Sequence, residues 1–336
     1  MAQESFLTYP LKFRPIFKEK IWGGQGLKKE FGRPIPPRKK VGESWEIVWL
    51  DNDVSVVANG PYEGRSLSDL AQEFPEELLG TDVAERFPDR FPLLFKLLDA
   101  SEPISLQVHP TDAFAAELEE GQWGKTEMWY VLWSAPGAQV ICGLKEWVNK
   151  DNLSGYRTNE QWKECLEFFP VSAGDAVYIP AGRVHSTQGS IIFLEIQENS
   201  DLTYRLHDWG RETPGKKQRL LQVEKALEAI EYHDEDERLV NPIVTKRTEV
   251  EERLLVTCDY FTVEKISVPI LYQASCDEDK FMVYFIALGR GEICPQGMSE
   301  ESMAFQRGDF LFLPASMGGF EIQTDTSCEI LKTIVT

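Results

Sequence analysis

The chain has 336 residues, 42% hydrophobic and 27% charged, proportions that exclude extended disorder, collagen and coiled coil and leave room for roughly two domains of about 150 residues. Against 35 Lys and Arg stand 55 Asp and Glu, a formal charge of −20, so the field repels phosphodiester backbones and anionic membrane, and nucleic acid is not expected as a partner. No apolar run reaches the roughly 18 residues of a membrane span, and the opening MAQESFLTYPLKF lacks a basic region followed by an apolar one, which points to a cytoplasmic protein without a membrane partner.

In chain order, glycine and proline first punctuate short aromatic and β-branched runs (PLKFRPIF, KIWGGQGLKKEFGRPIPP, ESWEIVWL, VSVVANGPY) that read as strands and loops. Between Ser66 and Pro92, SLSDLAQEF and GTDVAERF carry Ser and Thr caps and helical spacing of Leu, Ala and Phe, so short helices are expected. Strand signals resume in FPLLFKLLDA and PISLQVHP, followed by a helix in TDAFAAELEEG with Thr111 as N-cap. EMWYVLWS and AQVICGL read as strands, NEQWKECLEFF as a helix, and AVYIP and SIIFLEIQE again as strands. From Lys216 to Tyr232 the recurrence of Leu220, Val223, Leu227 and Ile230 predicts a linking helix. Beyond the polar run HDEDER, the chain is almost wholly short strands.

An internal repeat specifies the architecture. AGDAVYIPAGRVHS at 173–186 matches RGDFLFLPASMGGF at 307–320, and EMWYVLWSAPGAQVI weakly matches FMVYFIALGRGEI upstream. In such a unit Gly-Asp turns into a strand and Pro ends it at the rim. The expectation is a mainly β protein of two cupin-like (double-stranded β-helix) barrels, with a few short helices and a linking helix.

Only four histidines exist, His109, His185, His207 and His233, so a histidine site must be drawn from them. His109 ends the strand SLQVH, Glu127 opens the next strand, and His185 follows the PAGRV turn, all at rim positions. The period of two places Ser105, Gln107 and His109 on one face. Gln107, His109, Glu127 and His185 thus form a four-ligand set for a divalent ion with an open position. A lone histidine at a turn is usually an ordinary half-buried residue; joint placement argues otherwise, since the second copy aligns Gly319 with His185 and Phe281 with Glu127. His207 reads as an ordinary loop group or a neighbour of the ligands, and His233, beside Asp234 to Glu237, as a solvated helix end.

Lys125 shares the face of Glu127, and Arg205 follows the strand SIIFLEIQE; the ordinary reading of either is a surface charge. Lys96, between apolar neighbours in PLLFKLL, needs a counter-charge or a cavity, and counts among the candidate substrate-binding cations. IWGGQG reads as a turn rather than a phosphate cradle, and Trp45 as core. The six scattered cysteines, without CxxC spacing, read as free thiols. The expected division is a metal-binding catalytic domain over 1–210, a linking helix and polar linker over 211–245, and a metal-free β-domain over 246–336.

Taken in order, PLLFKLLDASEPISLQVHP, GKTEMWYVL, GDAVYIPAGRVHS and QENSDLTYRLHDWGR make the chain resemble, nearly end to end, the type I mannose-6-phosphate isomerase family in its short bacterial form. The resemblance implies one zinc ion per chain on residues matching Gln107, His109, Glu127 and His185. It further implies Arg205 as the catalytic arginine, Lys125 and Asp201 as proton-transfer or substrate-orienting groups, and Ser105 near substrate. Some members carry His where this chain has Gly124, so that histidine cannot be its acid or base. The implied substrate is a small phosphorylated sugar, mannose 6-phosphate, interconverted with fructose 6-phosphate through a cis-enediol; the base is left open among Lys125, Asp201, Glu195 and metal-bound hydroxide. A cupin Fe(II) oxygenase and a non-enzymatic sugar-binding cupin are the alternatives, and the sequence leaves the oligomeric state undetermined.

Overall fold

Runs rich in Val, Ile, Phe, Trp and Tyr, closed by Gly, Pro or Asp, become strands in the computed structural model, which describes residues 7–119, 121–156, 158–211, 219–234, 237–297 and 302–336. The first thirteen are β1 (Ile16–Gly24), β2 (Val41–Ile47), β3 (Trp49–Leu50), β4 (Asp53–Val54), β5 (Leu93–Ala100), β6 (Leu106–Val108), β7 (Glu127–Ser134), β8 (Gln139–Leu144), β9 (Leu166–Pro170), β10 (Ala176–Ile179), β11 (His185–Gln188), β12 (Ile191–Glu198) and β13 (Tyr204–His207). Ten more follow: β14 (Ile243–Arg247), β15 (Glu251–Thr257), β16 (Phe261–Val268), β17 (Leu271–Ser275), β18 (Met282–Leu288), β19 (Arg290–Pro295), β20 (Met303–Gln306), β21 (Phe310–Leu313), β22 (Gly319–Thr324) and β23 (Cys328–Val335). The fold is mainly β, as expected.

The strands form two compact units that interleave along the chain. One comprises Phe17–Trp45 and Leu94–Val240; the other comprises Met1–Ile16, Glu46–Leu93 and Asn241–Thr336. The first holds a six-stranded sheet, β1-β2-β5-β12-β7-β10, and a five-stranded sheet, β13-β6-β11-β8-β9. Trp22, Leu98, Trp129, Val131, Val140, Ile179 and Phe193 from both sheets pack into one core. The opposite side of the five-stranded sheet is covered by short helices, whose Leu153, Trp162, Cys165, Ala226 and Leu227 pack on Leu106, Val108, Ile141 and Leu206. That sheet therefore has apolar partners on both faces, which fixes its register.

The second unit repeats the scheme with β14-β15-β16-β23-β18-β21 and β17-β22-β19-β20 around Ile266, Tyr284, Ile286, Leu311, Phe320 and Ile330. Its noncontiguous segments are held by cross-chain contacts. Leu11 bridges Phe312 and Phe13 bridges Val57, Phe281 donates its backbone N–H to Leu79, and the Phe91 ring lies 5.1 Å from Phe281. These pairings join segments that are distant in sequence.

Two expectations about helices are corrected. The linking helix is a helix over Val223–Ala229 only, packed into the first unit; Leu220 is 75% exposed, and residues 212–218 lie outside those described. NEQWKECLEFF is a helix only to Cys165, where a Thr158–Gln161 capping box starts it, and LEFF continues as β9.

The repeat match is also corrected, by one residue. Glu127 pairs with Ile179 in the first unit, and Met282 pairs with Leu313 in the second. Since Ile179 and Leu313 are equivalent in the repeat, Met282 holds the place of Glu127. Phe281 turns to the other face and stacks on Phe312 at 4.9 Å. Gly319 does hold the place of His185, with Ser275 across from it as Gln107 is across from His185. A Cβ on Gly319 would lie 2.2 Å from Gln296 Oε1, the tip of an exposed side chain that would have to shift.

Phe310, 6% exposed and 4.8 Å from the Phe285 ring, is a packing residue of the second unit. Phe310→Ala is expected to lower stability by about 3 kcal/mol. Thermal and denaturant unfolding measure this, and the metal content of the folded fraction should be unchanged.

Candidate metal centre

β6 is the spine of the site. Gln107 lies opposite His185 of β11 on one side and Arg205 of β13 on the other. Residues directly opposite share a face, so Arg205, Gln107 and His185 form a row across the five-stranded sheet. His109 stands one residue past β6, and Glu127 enters from the first position of β7 in the facing sheet.

His109, Glu127 and His185 are buried, and their donor atoms all lie within 4.8 Å of one another. His109 donates from Nδ1 to the Leu202 carbonyl at 2.9 Å, and His185 from Nδ1 to the Arg183 carbonyl at 2.9 Å. A carbonyl only accepts, so both rings turn Nε2 and its lone pair inward. His185 Nε2 is 3.4 Å from Glu127 Oε1 and His109 Nε2 is 3.7 Å from Oε2. Burial, followed by the Lys125 and His185 charges, pushes His109 well below the usual imidazole range. Burial lowers His185 to about 3. Both rings are therefore neutral.

Neither Glu127 oxygen meets a directed hydrogen bond among the described residues, although Lys125 Nζ sits 2.6 Å from Oε2. That contact is a short ion pair. Two inward lone pairs and a buried carboxylate without directed donors cannot satisfy one another, and they match the nitrogen and oxygen donors of a divalent cation. Gln107 stands beside these three. Its amide nitrogen lies 3.1 Å from His185 Nε2, while its oxygen accepts from Ser105 Oγ at 2.9 Å. A hydroxyl donates or accepts, so Ser105 supports either amide orientation, including the one that turns oxygen toward a cation.

Charged groups are stacked behind this cluster. Lys125 Nζ lies 3.3 Å from His109 Nε2 and 3.4 Å from Glu195 Oε1. Burial opposes its charge, but Glu127 and Glu195 hold its ammonium above the usual range, which disfavours Lys125 as a resting base. Glu195 also accepts from Lys96 Nζ at 3.1 Å and from Trp129 Nε1 at 3.0 Å. Burial opposes the Glu195 charge too, yet Lys125 and Lys96 hold its carboxyl below the usual range, whereas burial and the nearby Glu195 charge push Glu127 up. Lys96 thus has the counter-charge its apolar strand demands, with Gln197 Oε1 at 2.6 Å and the Trp45 ring centroid at 5.1 Å.

Arg205 is half-buried, its Nε without a hydrogen-bond partner among the described residues. Asp201 is exposed in the loop whose Leu202 carbonyl holds His109. Gly124 has no room for a side chain, because a Cβ there would lie 2.5 Å from the Asp112 backbone nitrogen. His207 stands on β13 and meets Asn159 Oδ1 at 2.6 Å, apart from the ligand cluster. His233 bonds Glu231 through its backbone; Glu235 and Asp236 beside it lie outside the described residues. The turn in IWGGQG is tied by Gly26 N–H to Asp99 Oδ2 at 2.5 Å.

Sequence reasoning missed Glu43 and Arg183. Glu43 receives the Trp45 indole N–H at 2.8 Å and pairs with Lys20 at 2.8 Å. The apolar-neighbour argument that singled out Lys96 applies equally to Glu43 in VGESWEI.

The family description "Phosphomannose isomerase type I, catalytic domain" matches residues 11–125, and "Mannose-6-phosphate isomerase, cupin domain" matches residues 251–334. Mannose-6-phosphate isomerase ManA of Bacillus subtilis is 37% identical over 325 residues, 96% of this chain and 98% of the relative. Mannose-6-phosphate isomerase of Streptococcus mutans is 35% identical over 321 residues, 95% and 96% of the two chains. A crystal structure of the Bacillus subtilis mannose 6-phosphate isomerase superposes with a TM-score of 0.86 at 33% identity, covering 97% of this chain and 99% of that one. On these matches the chain belongs to the type I mannose-6-phosphate isomerase family.

Proposed function

We infer that this protein is a zinc-dependent aldose-ketose isomerase that interconverts mannose 6-phosphate and fructose 6-phosphate. The observation that carries the reading is the convergence of His109, Glu127 and His185 in a chain of this family. Family membership favours an isomerase over the oxygenase and the non-catalytic cupin. Gln107, His109, Glu127 and His185 would hold one zinc ion, whose chemistry is Lewis-acid polarisation of the substrate oxygens. The six cysteines, none of them in a disulfide, suit a reducing compartment such as the cytoplasm.

The reaction moves a proton between C2 and C1 of the open-chain sugar through a cis-enediol. Arg205, in line with Gln107 and carrying an unpartnered Nε, is assigned to stabilise negative charge on the enediolate oxygens. Lys125 adds a fixed positive charge beside them. Ser105 completes the substrate-binding set through its hydroxyl, while Lys96, taken up by Glu195 and Gln197, holds Glu195 in place. Glu195 is tied by three donors, so Asp201 at the exposed rim is the freer carboxylate to take and return the proton.

Chelation is expected to abolish isomerisation and added zinc to restore it, in an assay coupling fructose 6-phosphate formation to a dehydrogenase. Glu127→Gln removes the only anionic ligand and should weaken zinc binding by roughly a hundredfold. Full activity in metal-free protein, or activity restored only by iron with dioxygen, would overturn the assignment. Arg205→Lys keeps the charge and loses the planar fork, so kcat should fall by about a hundredfold with little change in KM. Near-normal kcat with a strongly raised KM would move Arg205 from catalysis to binding.

A further inference from the structure

The imidazole of His185 is aimed by a backbone carbonyl, and that carbonyl belongs to one of the largest fully buried side chains in the molecule, Arg183. A guanidinium 1% exposed must be paid for by partners, and Arg183 has them on every side. Nε and Nη2 both donate to the Asp234 carboxylate, Nη2 to Oδ1 at 2.6 Å, in a fork-to-carboxylate pairing. Nη1 donates to the Tyr178 carbonyl at 2.6 Å and the Glu237 carbonyl at 3.4 Å. Asp234 is fixed in turn, its carbonyl accepting from Arg238 Nη2 at 2.7 Å.

The backbone around Arg183 is tied just as closely to the metal ligands. Gly182 N–H donates to the His109 carbonyl at 2.8 Å, the Gly182 carbonyl accepts from Glu231 at 2.9 Å, and the Val184 carbonyl accepts from Gly143 at 2.7 Å. One short loop thus carries the orientation of His185 and braces the backbone of His109. The Arg183 fork anchors it to the segment where Asp234 lies. Groups that orient a ligand through its other ring nitrogen commonly affect metal affinity about 10- to 100-fold.

We propose that Arg183 and Asp234 form a positioning pair for the metal centre, holding the Arg183 carbonyl where it accepts the His185 Nδ1 proton and so keeping Nε2 turned inward. This rests on the reading of His185 as a metal ligand. The pair touches neither substrate nor ion, and acts through the backbone.

The test uses the full-length protein with Arg183→Lys, which keeps charge but loses the fork, and the milder Asp234→Asn, which keeps one acceptor. Two measurements are made on each: zinc affinity by competition with a chromophoric chelator, and the His185 tautomer in metal-free protein by long-range 15N–1H correlation, with thermal melting as the fold control. The expected result is about 10- to 100-fold weaker zinc binding and a shift of His185 from a pure Nδ1–H tautomer toward a mixture, in folded protein. Wild-type affinity and a pure Nδ1–H tautomer in both variants would overturn the proposal. If Arg183→Lys does not fold, Asp234→Asn decides. Failure of the wild-type protein to bind zinc would sink the metal reading, while the tautomer measurement still decides whether Arg183 and Asp234 aim the ring.

Discussion

Polar atoms taken out of water must find partners inside the protein, and the centre of this molecule depends on a place where they do not find them in one another. Two imidazole nitrogens turn lone pairs toward a carboxylate that has only acceptors to offer. Such a cluster is repulsive by itself, and it is relieved from the side by the Gln107 amide at His185 and the Lys125 ammonium at His109 and Glu127. The surrounding structure resists its collapse: carbonyls of Leu202 and Arg183 hold the rings by their outer nitrogens, and both faces of the five-stranded sheet are packed so that β6 cannot slip. The packing on both faces of the sheet keeps these acceptors at short range, an arrangement that suits a cation.

The same logic explains why buried cations line a strongly acidic protein. Lys96 and Lys125 share Glu195, and Trp129 and Trp45 give the set an indole donor and an aromatic face. Each charge is matched within the first unit, so the cluster remains charged without drawing in water.

Much of this was legible from the chain because strands have a period of two. Ser105, Gln107 and His109 shared a face in the sequence, and the hydroxyl-to-amide bond bears that out. Lys96 advertised a partner by its apolar neighbours; the partner, Glu195, lies 99 residues away and no local pattern could name it. The same period made the weak repeat match fragile, because one residue of slip exchanged Phe281 for Met282 and the outer face for the inner. The leucines before Val223 kept helical spacing yet stand exposed, since spacing reports an available face and not the presence of something to cover it. Domain limits were the least legible part, because they rest on pairings such as Leu11 with Phe312 that have no sequence signature.

The interleaved chain has a consequence for synthesis. On the ribosome, the segment Glu46–Leu93 emerges early, while the strands it packs against lie beyond Asn241. All of Leu94–Val240, with the candidate metal ligands, is made in between, so the unit that holds them has its full complement of strands while Phe13, Phe91 and their neighbours still wait for Phe281 and Phe312. One unit therefore has all its strands translated while the other still lacks those beyond Asn241, and the apolar side chains waiting for them are exposed in the interval.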